Sequence, residues 1–135
     1  MKLIKNLIIL LIAFSTMFSC ATNSLENICD NKISKDISSP DKKLKAVIFT
    51  RDCGATTGYS SQLSIIDYSD KLEDEKGNVL IISDKEVGEE TGGADLNAEW
   101  NGNNELIIYF NLEAETFKKK DYIDGVKITY SQPIK

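Results

Sequence analysis

Asp95-Leu96-Asn97-Ala98-Glu99-Trp100-Asn101-Gly102-Asn103-Asn104-Glu105-Leu106-Ile107-Ile108-Tyr109-Phe110 is the stretch whose pattern decides the fold. Leu96, Ala98 and Trp100 alternate with polar residues, Asn101-Gly102 turns the chain, and Leu106, Ile108 and Phe110 resume the apolar face. A period of two puts successive side chains on opposite faces of a strand, and Asn-Gly accepts the backbone of a tight turn. The pattern predicts a β-hairpin with Trp100 in a core.

The same signals recur on either side. Asp124-Gly125 separates Tyr122-Ile123 from an alternating Val126-Lys127-Ile128-Thr129-Tyr130, a second hairpin. Residues 44–51 are rich in β-branched and apolar side chains, and residues 62–68 and 79–83 flank a charged loop containing Gly77-Asn78, which predicts a long hairpin. About six strands in all predict a mainly β fold, a small antiparallel β-sandwich or open barrel. Upstream, Leu25, Ile28, Cys29 and Ile33 fall at helical spacing behind an Asn23/Glu26 capping pair, predicting a short N-terminal helix. Pro40 in Ser38-Ser39-Pro40-Asp41 then breaks the chain. Turn-then-strand openings at Ser39-Pro40-Asp41 and Asn101-Gly102 resemble those of propeller blades, but four blades of about 40 residues exceed this chain, so shared hairpin chemistry explains the echo.

The first 19 residues read as an export signal: Lys2 and Lys5 precede an apolar run of about 12 residues that ends at Ser19-Cys20. A helical membrane span takes roughly 20 residues, so cleavage is expected rather than permanent insertion. Two chemistries compete. Thr16-Met17-Phe18-Ser19-Cys20 resembles the bacterial lipobox, with Cys20 lipidated, although Met17 and Phe18 depart from its usual residues; Ser19-Cys20-Ala21 alternatively suits ordinary signal peptidase. The expected organisation is a signal peptide at 1–19, a lipid-anchored linker with a short helix at 20–38 and a single β domain at 39–135. Ala21, not aspartate, follows the cysteine, which is compatible with outer-membrane sorting where the enteric rule applies. The expected location is a bacterial cell envelope, either anchored to a membrane through Cys20 or periplasmic and secreted.

Of the three cysteines, Cys20 leaves disulfide chemistry on either route, by lipidation or by excision. Cys29 and Cys53 remain as an even pair, expected to close a loop of about 25 residues and to stabilise by roughly 3 kcal/mol. The chain has 16 basic and 21 acidic side chains, and loss of Lys2 and Lys5 leaves 14 against 21, about −7. That charge disfavours nucleic acid and anionic lipid, leaves the lipid as the expected membrane contact, and favours a cationic partner.

Arg51-Asp52-Cys53-Gly54-Ala55-Thr56-Thr57-Gly58-Tyr59 connects two strands, and its glycines and hydroxyls let a backbone approach another surface closely. Arg51, Asp52, Gly54, Thr56, Thr57, Gly58 and Tyr59 are the candidate binding loop. Together with Ser39-Pro40-Asp41 and Lys45-Ala46-Val47-Ile48-Phe49, this string resembles the signature of a family of small, uncharacterised bacterial envelope proteins, often with a leader and an upstream cysteine. The resemblance spans about 20 residues strongly and implies no activity.

No catalytic residue is expected; the alternative, an enzyme of unknown activity, would use Arg51, Asp52, Cys53 and Thr56 as its cluster. The chain has no histidine to activate Cys53, Thr56 or Thr57, and Arg51 alone is a weak thiolate stabiliser. Zinc lacks closely spaced ligands, and neither Asp67-Asp70-Glu73-Asp74-Glu75 nor Glu86-Glu89-Glu90-Asp95 has calcium-loop spacing, so neither metal nor cofactor is expected. Phe117-Lys118-Lys119-Lys120 reads as an exposed loop or strand end. The function expected is that of an envelope binding or structural component. The alternative is a periplasmic inhibitor or immunity protein that captures a basic enzyme. An envelope or cationic protein is the expected partner.

Overall fold

A computed structural model describes residues 1–6, 29–54, 58–83 and 95–133. Residues 2–6 are helical, and nine strands follow among the described residues. One antiparallel sheet runs β1 (Asp30–Ser38), β2 (Leu44–Asp52), β3 (Tyr59–Asp67), β4 (Leu80–Ser83) and β7 (Thr116–Lys119). The other is ordered β5 (Asn97–Trp100), β6 (Glu105–Tyr109), β9 (Val126–Ser131) and β8 (Tyr122–Ile123). The mainly β sandwich is as the alternation predicts, with β6 and β9 as the one parallel pair among the described residues.

Each sheet turns its apolar stripe toward the other. Ala46 and Ile48 of β2, Leu63 and Ile65 of β3, and Leu80 and Ile82 of β4 meet Ala98, Leu106, Ile108, Val126 and Ile128 in one buried cluster. Full burial of each Leu or Ile contributes about 2–3 kcal/mol before chain entropy is set against it. At one side the sheets are joined by the chain itself, which passes from β7 to β8 through Lys120 and Asp121. At the other they are joined by side chains. Trp100 Nε1 donates to the Ile37 carbonyl at 2.8 Å, and Lys35 Nζ donates to Asn97 Oδ1 at 3.1 Å. Trp100 packs on the rim of the core and ties β5 to β1.

Both predicted turns form. Asp124 and Gly125 both have positive φ (47° and 81°), as a two-residue hairpin of this twist needs. The first hairpin uses a wider turn over residues 101–104, closed by Asn101 N donating to Glu105 O at 2.9 Å, with Gly102 at φ 72°. The Ser39-Pro40-Asp41 break is a turn as well. The buried Ser39 hydroxyl lies within 2.8 Å of Asp41 Oδ1 and 2.9 Å of the Leu44 carbonyl, and its contact with Asp41 holds that carboxyl below the usual range.

The N-terminal boundary is corrected. Leu25 and Ile28 lie outside the described residues, but Ile33 sits in a strand, and Asp30–Ser38 pairs with β2 along its whole length. The sandwich therefore begins at Asp30 rather than at residue 39. A bulge between Ile33 and Lys35 puts the strand's two isoleucines on opposite faces: Ile33 opposes Phe49 on the outer face, whereas Ile37 opposes Ala46 and packs on the core. Without the bulge, residues four apart would share a face.

The outer face of the five-stranded sheet is also covered. Residues 68–78 cross it as a strap: Asn31 Nδ2 on β1 donates to the Glu73 and Glu75 carbonyls, Gly77 N donates to Gln62 Oε1 at 2.6 Å, and Lys118 Nζ on β7 donates to Gly77 O at 2.8 Å. Asn78 extends β4 with its side chain, accepting from Ile65 N and donating to Ile65 O. Between these anchors Val47 and Phe49 of β2 are buried.

A Cβ at Gly77 would stand 2.9 Å from the Leu80 carbonyl oxygen and 3.1 Å from that of Leu63, backbone atoms of two core strands that cannot yield. One at Gly102 would meet nothing within 4 Å, although φ is +72° there. Gly77→Ala is expected to lower unfolding free energy by about 3 kcal/mol through overpacking, and Gly102→Ala by about 1 kcal/mol through backbone strain, both read by urea denaturation.

Burial, with the Asp121 charge adding to it, pushes the Tyr130 phenol up from 10.0 to about 12. The folded state thus holds this proton more tightly than the unfolded chain. Its contribution is fully present below the unfolded value near pH 10, and is lost as pH rises through about 12. Urea midpoints measured from pH 9 to 12 are expected to fall less steeply in Tyr130→Phe than in the wild type.

Candidate functional site

The candidate loop is built on the ends of β2 and β3, where Asp52 pairs with Tyr59. Cys29, just before β1, is bonded to Cys53, just after β2. The predicted disulfide is therefore present, and it staples β1 to β2 beside their last pair, Asp30 and Asp52. It also removes the Cys53 thiol from any nucleophilic role with Arg51, Asp52 or Thr56. Asp52 Oδ1 accepts from Gly54 N at 2.9 Å, turning the chain out of the strand, and Gly54 and Gly58 take φ of 99° and 69°. Thr56 and Thr57 lie outside the described residues, as do Cys20, Glu86, Glu89 and Glu90. Tyr59 is 45% exposed at the base of the loop.

Arg51 is placed differently from its loop neighbours. The sequence puts it on a surface, whereas the structure buries it to 9% exposure on the outer face of β2. Its Nη1 donates to Asn31 Oδ1 at 2.7 Å, and Asn31 is in turn fastened to the strap carbonyls. Ser60 stands directly opposite on β3, and Ser83 opposite Ser60 on β4. A polar row of Asn31, Arg51, Ser60 and Ser83 thus crosses four strands at the end of the sandwich that carries the disulfide. Gln62 Nε2 donates to Ser60 Oγ at 2.7 Å, which leaves the serine proton available to an acceptor.

Two open clefts lie elsewhere. One of about 360 Å³ beside the strap is lined by Ser64, Ile66, Leu72, Glu75 and Asn78 among others. The second, about 320 Å³, opens among the turns at the end opposite the disulfide and includes Asp41, Asp67, Asn103 and Asp124. Among the described residues no three His, Cys, Asp or Glu side chains converge as a metal site requires, and no helix is long and apolar enough to cross a membrane. Two lysines of the 117–120 run have structural partners: Lys118 bonds the strap and Lys119 lies 4.6 Å from the Tyr130 ring centroid.

Sequence reasoning missed Asn31, which it assigned to a linker helix, and the partnership of Ser60 and Ser83. Gln62 and Ser64, alternating with Leu63 and Ile65 in β3, were the available signal that something polar covers this face. The chain matches no family model, no curated protein and no solved structure, so its resemblance to small envelope proteins rests on the quoted residues alone.

Opening the disulfide frees a loop of 24 residues of sequence separation. The double variant Cys29→Ala/Cys53→Ala is expected to lose about 3 kcal/mol of stability. Urea denaturation of the wild type with and without reductant checks this, because the reduced wild type should approach the variant.

Proposed function

We propose that this chain is an exported envelope protein, lipid-anchored through Cys20, whose β-sandwich acts as a binding or structural component and meets its partner at the disulfide-bearing end. The observation that carries the reading is the Cys29–Cys53 bridge at the base of the candidate loop. Such a bridge persists in an oxidising compartment and is rare in a reducing one, which agrees with the leader.

The bridge also bears on geometry. Cys20 and Cys29 are nine positions apart, a reach of at most about 30 Å when extended. A lipid on Cys20 therefore keeps the end carrying Cys53, Gly54, Gly58 and Tyr59 near the membrane. The partner is an envelope component accessible at that height, and the lipid supplies the membrane affinity. A second reading, capture of a basic enzyme, is favoured by the balance of 14 basic against 21 acidic side chains once Lys2 and Lys5 are removed.

Replacing Cys20 by Ala is expected to leave an unprocessed precursor in the membrane fraction, whereas release of a mature chain would establish ordinary cleavage. In pull-downs from envelope extract, Thr56→Ala/Thr57→Ala/Tyr59→Ala is expected to lose the partner while remaining folded. A partner that is instead released by moderate salt, and kept by that variant, would favour the inhibitor reading.

A further inference from the structure

We infer that Arg51 is a receptor for an oxyanion, a carboxylate or phosphate group carried by the ligand. The inference deepens the proposed function, since it assigns chemistry to the base of the loop, and it rests on that loop being the binding surface.

Arg51 is buried on the outer face, yet among the described residues it forms no ion pair, and its single hydrogen bond goes to a neutral amide, Asn31. Its Nε is fully buried and meets no acceptor among the described residues. A guanidinium carries five donors and cannot shed its proton in a protein, so burial without a counter-charge is unfavourable by more than an ordinary lost hydrogen bond. Orphaned buried donors of this kind are rare, and a missing ion is one of their standard explanations.

The surroundings are built to hold the side chain rather than to neutralise it. Asn31 accepts from Nη1 through its oxygen, and its nitrogen is fixed by two strap carbonyls, Glu73 and Glu75. This clamps one arm of the fork and leaves Nε, fully covered in the structure, as the donor an oxyanion would match on displacing that cover. Ser60, directly across the β2–β3 ladder, has its oxygen occupied by Gln62 and its proton free to donate toward the same anion. Ser83 continues the row on β4. The net acidity of the domain repels anions at long range, so recognition depends on these short contacts.

The test follows the Nε–H resonance of Arg51 in the purified, ¹⁵N-labelled protein, assigned by its disappearance in Arg51→Lys. Sodium phosphate and sodium acetate are titrated separately against sodium chloride at matched ionic strength. A saturable shift with phosphate or acetate and not with chloride is the expected result, and the more effective anion identifies the group. Arg51→Lys, read from the Ser60 and Ser83 amides, should weaken binding about tenfold, because an ammonium lacks the fork. An Nε–H signal that does not move, or moves equally with chloride, would overturn the inference whether or not the variant folds. If the pull-down partner is nevertheless retained, the loop reading survives and Arg51 is confined to a structural role.

Discussion

Burial of β2 on both of its faces is the constraint on which the rest of the structure depends. Ala46 and Ile48 face the opposing sheet, while Val47 and Phe49 face away from it and are buried just as completely. An antiparallel strand usually leaves one face to water. Here a third layer is required, and residues 68–78 supply it. That layer has no regular backbone pairing over most of its length, so its polar groups must be satisfied by side chains. Gln62, Ser64, Asn31 and Lys118 do this, from three strands of the five-stranded sheet. Arg51 sits at the margin of this layer, where the strap holds Asn31 and Asn31 holds the guanidinium.

Much of the fold was legible because its turns are local. Asp124-Gly125 and Asn101-Gly102 announce hairpins through their backbone preferences, and the alternation around them assigns the inward residues correctly. What was not legible depends on partners distant in the chain. Asp30–Ser38 has only Ile33 and Ile37 as regularly spaced apolar residues, and the bulge disguises their period. Thr116–Lys119 is a short edge strand whose lysines read as solvated, although Lys118 reaches the strap. The parallel pairing of β6 with β9 brings together residues about 20 apart in sequence, with a crossing between sheets in the interval, and no local signal encodes it. The candidate loop was read as a surface segment, which fits Tyr59. Arg51 defeats that reading because sequence does not say whether a long side chain lies across a strand or projects from it.

The residues that resemble an envelope-protein signature have a structural account almost throughout. Ser39, Pro40 and Asp41 make the turn into β2; Ala46, Val47, Ile48 and Phe49 fill both of its faces; Asp52, Cys53 and Gly54 close its far end. Those roles are all met by folding and carry no activity. Arg51 is the exception. Among the described residues of this run, whose other roles are turn, core and bridge, it is buried with a donor unused. Chemistry is most economically sought where the folding requirements leave something unexplained.

The Cys29–Cys53 bridge has a mechanical consequence. Tension applied to the chain ahead of Cys29 would otherwise act on β1, an edge strand whose hydrogen bonds to β2 would be broken one after another from that end. With the bridge in place, the load passes through sulfur directly into the far end of β2, which is held between β1 and β3 and pressed from both faces. Pulling then has to shear many bonds at once rather than unzip them singly. Such a pull is borne by β2, an interior strand, and not by the outermost strand alone.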